Sequence, residues 1–438
     1  MSPLKILISA YACEPGAGSE PGAGWNLAYE ISRTEECWII TRANHRHVIE
    51  SYLARNPMPR AHFVYYDLPR WASFWKKGQR GIHVYYYLWQ LGVYRLAKKL
   101  FHEIRFDVVH HMTLGTYWLP SFLSLLPAPF LWGPVGGGEA GPRSFRRAFS
   151  IRGRSYEILR DVARRLGELD PFVRLTARRA TAALATTRQT AQRLRAIGCE
   201  EVCIEQQAAL RSEDFEQLSR LPVRREDPFR LLSLGRFLHW KGFELSLRAF
   251  ADFHRRYPAS EYWLIGDGPE RQNLEALAQT MGVSDGVSFC GAISRAGVLK
   301  KIAECDVLVH PSLHDSGPLA TVEAMAAGRP VICLDLGGPG LQVTPAIGIK
   351  ISAVTPEQVI TDLATAMEQL ATNPALRLEM SGACRMRIKQ HFTWQKKGRY
   401  LVKLYEGLAQ GVPFDFQHYT ETPISVESNK YQFAGNEP

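Results

Sequence analysis

Short apolar runs alternate along this chain with longer stretches in which apolar residues recur at helical spacing. That rhythm predicts parallel sheets with helices on both faces, an α/β fold. In the first half, strands are predicted at residues 5–10, 37–41, 63–66, 107–111, 129–132 and 182–186, with helices at 25–32 and 84–102. The rhythm restarts with strands at 229–234, 262–265, 287–290, 307–310 and 331–334 and helices at 243–257, 269–281, 295–304 and 319–327. Polar, charged residues 211–228 separate the two series and read as a linker. Two such domains in tandem face each other across a cleft at the carboxyl ends of their strands, where such sheets bind ligands. The expected division is 1–210, 211–394, a helix at 395–410 packing back on the first domain, and a loose polar tail at 411–438.

A length of 438 residues suits two domains, and 46% apolar with 22% charged residues describes a globular chain. The sequence has no apolar run of membrane-spanning length. Its start, MSPLKILISAYACEPG, reads as a first strand ending in a turn rather than as a leader. Eight cysteines are scattered, and only Cys199 and Cys203 lie close, without a neighbouring histidine. Buried free thiols in a reducing cytoplasm are expected, and no metal site. The net charge of +10 is localised, because residues 143–195 hold 14 arginines, no lysine and four carboxylates. Such a patch is solvated or faces an anion.

Three segments carry candidate chemistry. In Gly235–Arg236–Phe237–Leu238–His239–Trp240–Lys241–Gly242 a strand ends in glycine and a loop offers two cations before a helix, a way of holding phosphate. Gly266–Asp267–Gly268–Pro269 is a tight turn after the next strand. The segment HPSLHDSGPLATVEAMAAGRP, from His310, delivers a polar loop and then a helix opened by Gly317 and Pro318. Unpaired amides near Gly317, Leu319 and Ala320 suit an anion, while Asp315 and Glu323 suit hydroxyl groups.

These motifs, in this order and spacing, resemble the carboxyl-terminal half of glycosyltransferase family 4 (glycosyl transferases group 1), strongly over about residues 229–335 and more loosely elsewhere. The resemblance implies a GT-B architecture of two Rossmann-like domains and a retaining, metal-independent enzyme using a nucleotide-sugar donor as co-substrate, with no further cofactor. It places Arg236 and Lys241 on the donor diphosphate and Glu323 on the ribose. Asp315 falls where the family has a glutamate, one methylene longer. Gly317, Pro318 and Leu319 match the turn whose amides contact phosphate and sugar, beside Gly235 and Gly266. The backbone from Cys290 to Ile293 falls where the base sits.

In the first half, Gly22–Ala23–Gly24–Trp25 resembles the family's glycine-rich loop, here with Glu14 and Glu20 nearby. A histidine near the donor sugar is customary. His110 and His111 both present themselves, the customary later position being Met112; His111 is the preferred candidate and His110 the core residue. Residues 132–139 are expected to face the acceptor. Aromatics interleaved with Arg and Lys at 70–101, together with the arginine-rich stretch, suit docking on the inner, anionic face of the plasma membrane and a saccharide or lipid-linked acceptor. Nucleic acid is not an expected partner, since no nucleic-acid motif is present. Rival readings are a non-catalytic nucleotide- or nucleic-acid-binding protein and a nucleotide-sugar epimerase on the same architecture.

Overall fold

The structure, a computed structural model, describes residues 2–76, 81–147, 149–223 and 227–412. The first domain holds β1 (Lys5–Ala10), β2 (Glu36–Thr41), β3 (Ala61–Tyr65), β4 (Val108–Thr113), β5 (Phe130–Val135), β6 (Ala182–Ala185) and β7 (Val202–Ile204) in the order β3-β2-β1-β4-β5-β6-β7. The second holds β8 (Phe229–Leu234), β9 (Ser260–Ile265), β10 (Val287–Gly291), β11 (Val307–His310), β12 (Val331–Leu334) and β13 (Gly348–Ile351) in the order β10-β9-β8-β11-β12-β13. Every ladder within the two sheets is parallel. The α/β fold of two parallel-sheet domains expected from the sequence is therefore present.

Strand periodicity builds the cores. Leu7 of β1 packs with Trp89 and Trp132 on one face, while Ile6 and Ile8 pack with Trp25 and Leu404 on the other. In the second sheet Leu231, Leu264 and Val309 join Phe250, and Leu232, Leu308 and Cys333 join Met325.

Four local expectations need correction. Strands β7 and β13 were not expected: one has three residues, and the other, Gly-Ile-Lys-Ile, interrupts its apolar run. Both lie at sheet edges, where short strands suffice. The first helix runs Ser19–Ile31, so Gly22 and Gly24 lie inside it rather than in a loop. A β-carbon on Gly24 would come 2.3 Å from the Ala12 carbonyl oxygen, so this glycine serves close packing of the helix on the β1 end. The linker contains a helix, Ser212–Ser219, with Glu213 and Asp214 in its first turn.

The chain crosses between domains at two adjacent points. The Leu210 N–H donates to the Phe392 carbonyl and the Trp394 N–H to the Leu210 carbonyl, both at 2.9 Å. Beyond them helix Trp394–Gln410 returns to the first domain, where Tyr405 joins the core with Trp25. The polar tail expected after Gly411 lies, from residue 413 on, outside the described residues.

His110 is fully buried: its Nε2–H donates to the Gly133 carbonyl at 2.5 Å, so Nδ1 accepts from the Tyr405 hydroxyl at 2.6 Å. Burial pushes its pKa down to about 4, and burial with the neighbouring His110 takes His111 to about 3. Both are neutral when folded and bind protons near pH 6.5 when unfolded, so stability is full above that pH and falls below it. The slope approaches about 1.4 kcal/mol per group per pH unit only well below pH 6.5, so the pair should cost about 3 kcal/mol between pH 6.5 and 5. Urea unfolding should show a lower midpoint at pH 5 than at pH 7.5; an unmoved midpoint would contradict the assignment.

Candidate functional site

The carboxyl ends of both sheets open on one cleft of about 910 Å³, walled by Gly16–Gly18, Glu20 and Gly22 on one side. Gly235, Lys241, Arg295, His310 and residues 315–320 form the other.

Residues 235–242 are pinned at both ends. Phe237 is buried against Phe243, and its N–H donates to the Asp267 carbonyl at 2.9 Å. Gly242 has φ +69°, and a β-carbon there would lie 2.0 Å from the Pro311 carbonyl oxygen. This position therefore requires glycine, and it presses the Lys241 loop against the loop after β11. Across that contact the Lys241 ammonium meets the Asp315 carboxylate at 2.5 Å, and His310 Nε2 lies 3.2 Å from the same oxygen. Burial alone would raise the Asp315 pKa, but the His310 hydrogen bond and the Lys241 charge outweigh it and hold the carboxyl below the usual range. Asp315 is thus an anion engaged with Lys241, the residue placed beside it by folding rather than by spacing.

Gly317, Pro318 and Leu319 line the cleft, and helix Leu319–Ala326 begins there with Pro318 as its cap. Its first-turn amides have no intrahelical acceptor and its positive end meets the cleft. Glu323 lies deeper, 3% exposed, with the Arg295 guanidinium bonded to Oε1. Burial raises its pKa, opposed by Arg295. Arg295 lines the cleft itself. Sequence reading missed it; the available signal was its place at the start of a helix capped by Ser294, directly after β10.

Other expected residues are placed differently. Arg236 is exposed and off the cleft wall, as are the partly buried Cys290 and the exposed Ile293. Gly266 lies behind the wall, where a β-carbon would meet the Gly235 carbonyl oxygen. Of the pair Gly22 and Gly24, only Gly22 reaches the cleft. His111, expected near the ligand, is 1% exposed, packs against Tyr86 and does not line the cleft; Met112 is fully buried too. Strand β4 is covered on both faces, so its side chains have no route to the surface. Glu14 bonds His45 at 2.8 Å, and Glu20 accepts the Gly115 N–H at 2.7 Å. In the 132–139 loop Gly136 and Gly137 line the cleft, whereas Glu139 is buried and accepts from the hydroxyls of Thr187 and Thr190 at 2.8 and 2.9 Å.

Residues 214–387 match the family model described as Glycosyl transferases group 1. The lipopolysaccharide core biosynthesis glycosyltransferase LpsD of Rhizobium meliloti is 32% identical over 170 residues, 38% of this chain and 46% of that protein. A glycogen synthase of Mycobacterium tuberculosis is 26% identical over 187 residues, 43% of this chain and 44% of the relative. The chain thus spans less than half the length of the curated relatives it matches. Among solved structures, sucrose-phosphate synthase of Thermosynechococcus elongatus superposes with TM-score 0.62 at 20% identity, covering 93% of this chain and all (100%) of that one. HepE of Anabaena, solved in complex with UDP, gives TM-score 0.60 at 17% identity, covering 92% of this chain and 100% of its own. The chain therefore has the GT-B architecture, and residues 214–387 of its carboxyl-terminal domain are similar to the glycosyl transferases group 1.

Proposed function

We propose that this chain is a retaining glycosyltransferase that moves a sugar from a nucleotide diphosphate onto a saccharide or lipid-linked saccharide in polysaccharide or glycolipid assembly. The observation that carries the reading is the convergence of Lys241 and the amino end of helix Leu319–Ala326 on one wall of the cleft. The acceptor hydroxyl oxygen bonds to the anomeric carbon on the face from which the diphosphate departs. The anomeric C–O bond breaks toward oxygen, and the hydroxyl proton passes to the departing diphosphate. Charge builds on that leaving group, where an ammonium and fixed amide dipoles lower the barrier. Arg236, exposed beside the cleft-lining Gly235, is the second cation that this reading assigns to the same anion. Glu323, once Arg295 turns to the ligand, is free to accept ribose hydroxyl protons.

UDP is the first nucleotide to test, because the structurally similar HepE binds it. In a thermal-shift screen of UDP, GDP, ADP and their sugar conjugates, a ligand at 100 Kd should stabilise the chain by about 2.7 kcal/mol. Arg236→Ala should weaken the shift, and Lys241→Ala should lower kcat about 10²–10³-fold. A flat screen with folded protein would leave a non-catalytic role in its place.

Support for work at an anionic membrane comes from helix Ile151–Leu169. Ile151, Leu159, Leu166 and Leu169 are 80, 69, 64 and 66% exposed, and with Ile158 and Val162 they form one outward face. Arg152, Arg154 and Arg165 are exposed beside it. The arginine-rich stretch as a whole is not a bare patch: Arg146 and Arg164 pair with Asp161, and Arg193 with Glu168. In the aromatic stretch Tyr85, Tyr86 and Trp89 are core residues, while Trp71 and Phe74 are exposed; residues 77–80 lie outside the described residues. An apolar face edged by arginine matches an interfacial helix, and no described helix is long and apolar enough to cross a membrane. The chain should float with phosphatidylglycerol vesicles and not with phosphatidylcholine, and Ile158→Glu with Leu166→Glu should abolish flotation. Equal recovery with both lipids would exclude the docking.

A further inference from the structure

The same helix has an inward face with a second task. The segment from Arg143 begins on the second domain: Phe145 is buried in that core, and the Ser144 hydroxyl donates to the Val354 carbonyl at 2.7 Å. It ends on the first domain, where Arg164 donates to the Glu139 carbonyl at 3.0 Å and Glu168 pairs with Arg193 at 2.6 Å. Helix Ile151–Leu169 is therefore a strap across the interdomain gap.

At its middle the strap grips both loops of the cleft wall. Glu157, 3% exposed, accepts through Oε1 from His239 Nε2 at 3.1 Å and from His314 Nε2 at 3.2 Å. Trp240 stacks on the His314 ring at 5.2 Å, and Tyr156 stacks on Trp240 at 4.9 Å. Gly153 permits the approach, since a β-carbon there would lie 3.1 Å from the His239 ring. Burial would raise the Glu157 pKa, but the two histidine hydrogen bonds and Arg160 overcome it and keep the carboxyl ionised. His239 stands two residues before Lys241, and His314 directly precedes Asp315. The carboxylate thus fastens together the chain segments that carry the Lys241–Asp315 pair, without itself lining the cleft.

We infer that Glu157 is a positioning residue: through His239 and His314 it holds Lys241 and Asp315 in register, so the amino-terminal half completes the donor wall of the other domain. This rests on the reading of the cleft as a sugar-transfer site. A transfer group displaced by about 1 Å costs on the order of 100-fold in rate, whereas ground-state donor binding also draws on amides that the strap does not touch.

The test is hydrogen–deuterium exchange of the full chain combined with steady-state kinetics on the donor found by the nucleotide screen. Glu157→Leu should speed exchange in residues 236–242 and 311–317 by about tenfold, and lower kcat up to about 100-fold with donor KM nearly unchanged. Glu157→Gln keeps an amide oxygen where both histidines donate and should restore both readouts. Tyr156→Ala, at an exposed site, serves the same purpose if the leucine variant does not fold. Wild-type exchange in both loops overturns the latch, and faster exchange with unchanged kcat overturns the positioning. Absence of turnover in the wild type is the failure of the transfer reading instead, and the exchange result then decides the latch alone.

Discussion

The cleft depends on two loops of the second domain being allowed to touch. Gly242 lies against the Pro311 carbonyl with no room for a side chain, and the Leu313 N–H donates to the Trp240 carbonyl at 2.8 Å across the same contact. With the backbones this close, an ammonium from one loop and a carboxylate from the other meet, and their neighbours Trp240 and His314 stack. A larger residue at 242 would separate the backbones, and the pairing, the stack and the grip of Glu157 would go together.

Around that contact the described carboxylates removed from water are all engaged. Asp315 has Lys241 and His310, Glu323 has Arg295, Glu157 has two histidines, and Glu139 has two threonines and the Gly137 N–H. An unpaired buried charge costs several kcal/mol, so each partner is a requirement of the fold as much as a feature of the site. The consequence for binding is that an arriving anion competes with carboxylates already held by cations. In the cleft Lys241 and Arg295 are each held by a carboxylate, Asp315 and Glu323 respectively.

The second structural dependence is the strap. GT-B domains joined by adjacent crossings at Leu210 and at residues 392–394 have a narrow connection. The segment that starts at Arg143 and includes helix Ile151–Leu169 adds a third tie, packed into one domain through Phe145 and bonded to the other through Arg164. One face of that helix grips the loops that carry Lys241 and Asp315, and the opposite face is apolar and open. Domain geometry and surface chemistry therefore converge on one element.

Much of this was legible in the linear chain because apolar alternation and helical spacing are local signals. The central strands and the Lys241 and Gly317–Leu319 turns were read from such patterns, and the edge strands β7 and β13 escaped because edges need little hydrophobic pattern. The helix around Gly22 and Gly24 escapes because its glycines serve close backbone packing, Gly24 on the Ala12 carbonyl outside the local window. The family's customary histidine at this strand end points to His111 as a cleft residue, yet a strand covered on both faces keeps it inside. Sequence alone determined the two parallel-sheet domains and which loops end at their carboxyl edges, since strand direction and period follow from neighbouring residues. Only the tertiary structure decided that Asp315 answers Lys241, that Arg295 covers Glu323, and that Glu157 reaches His239 and His314 from the other domain. Those pairings join residues up to 157 positions apart, and no periodicity records a distance that exists only after the chain has closed on itself.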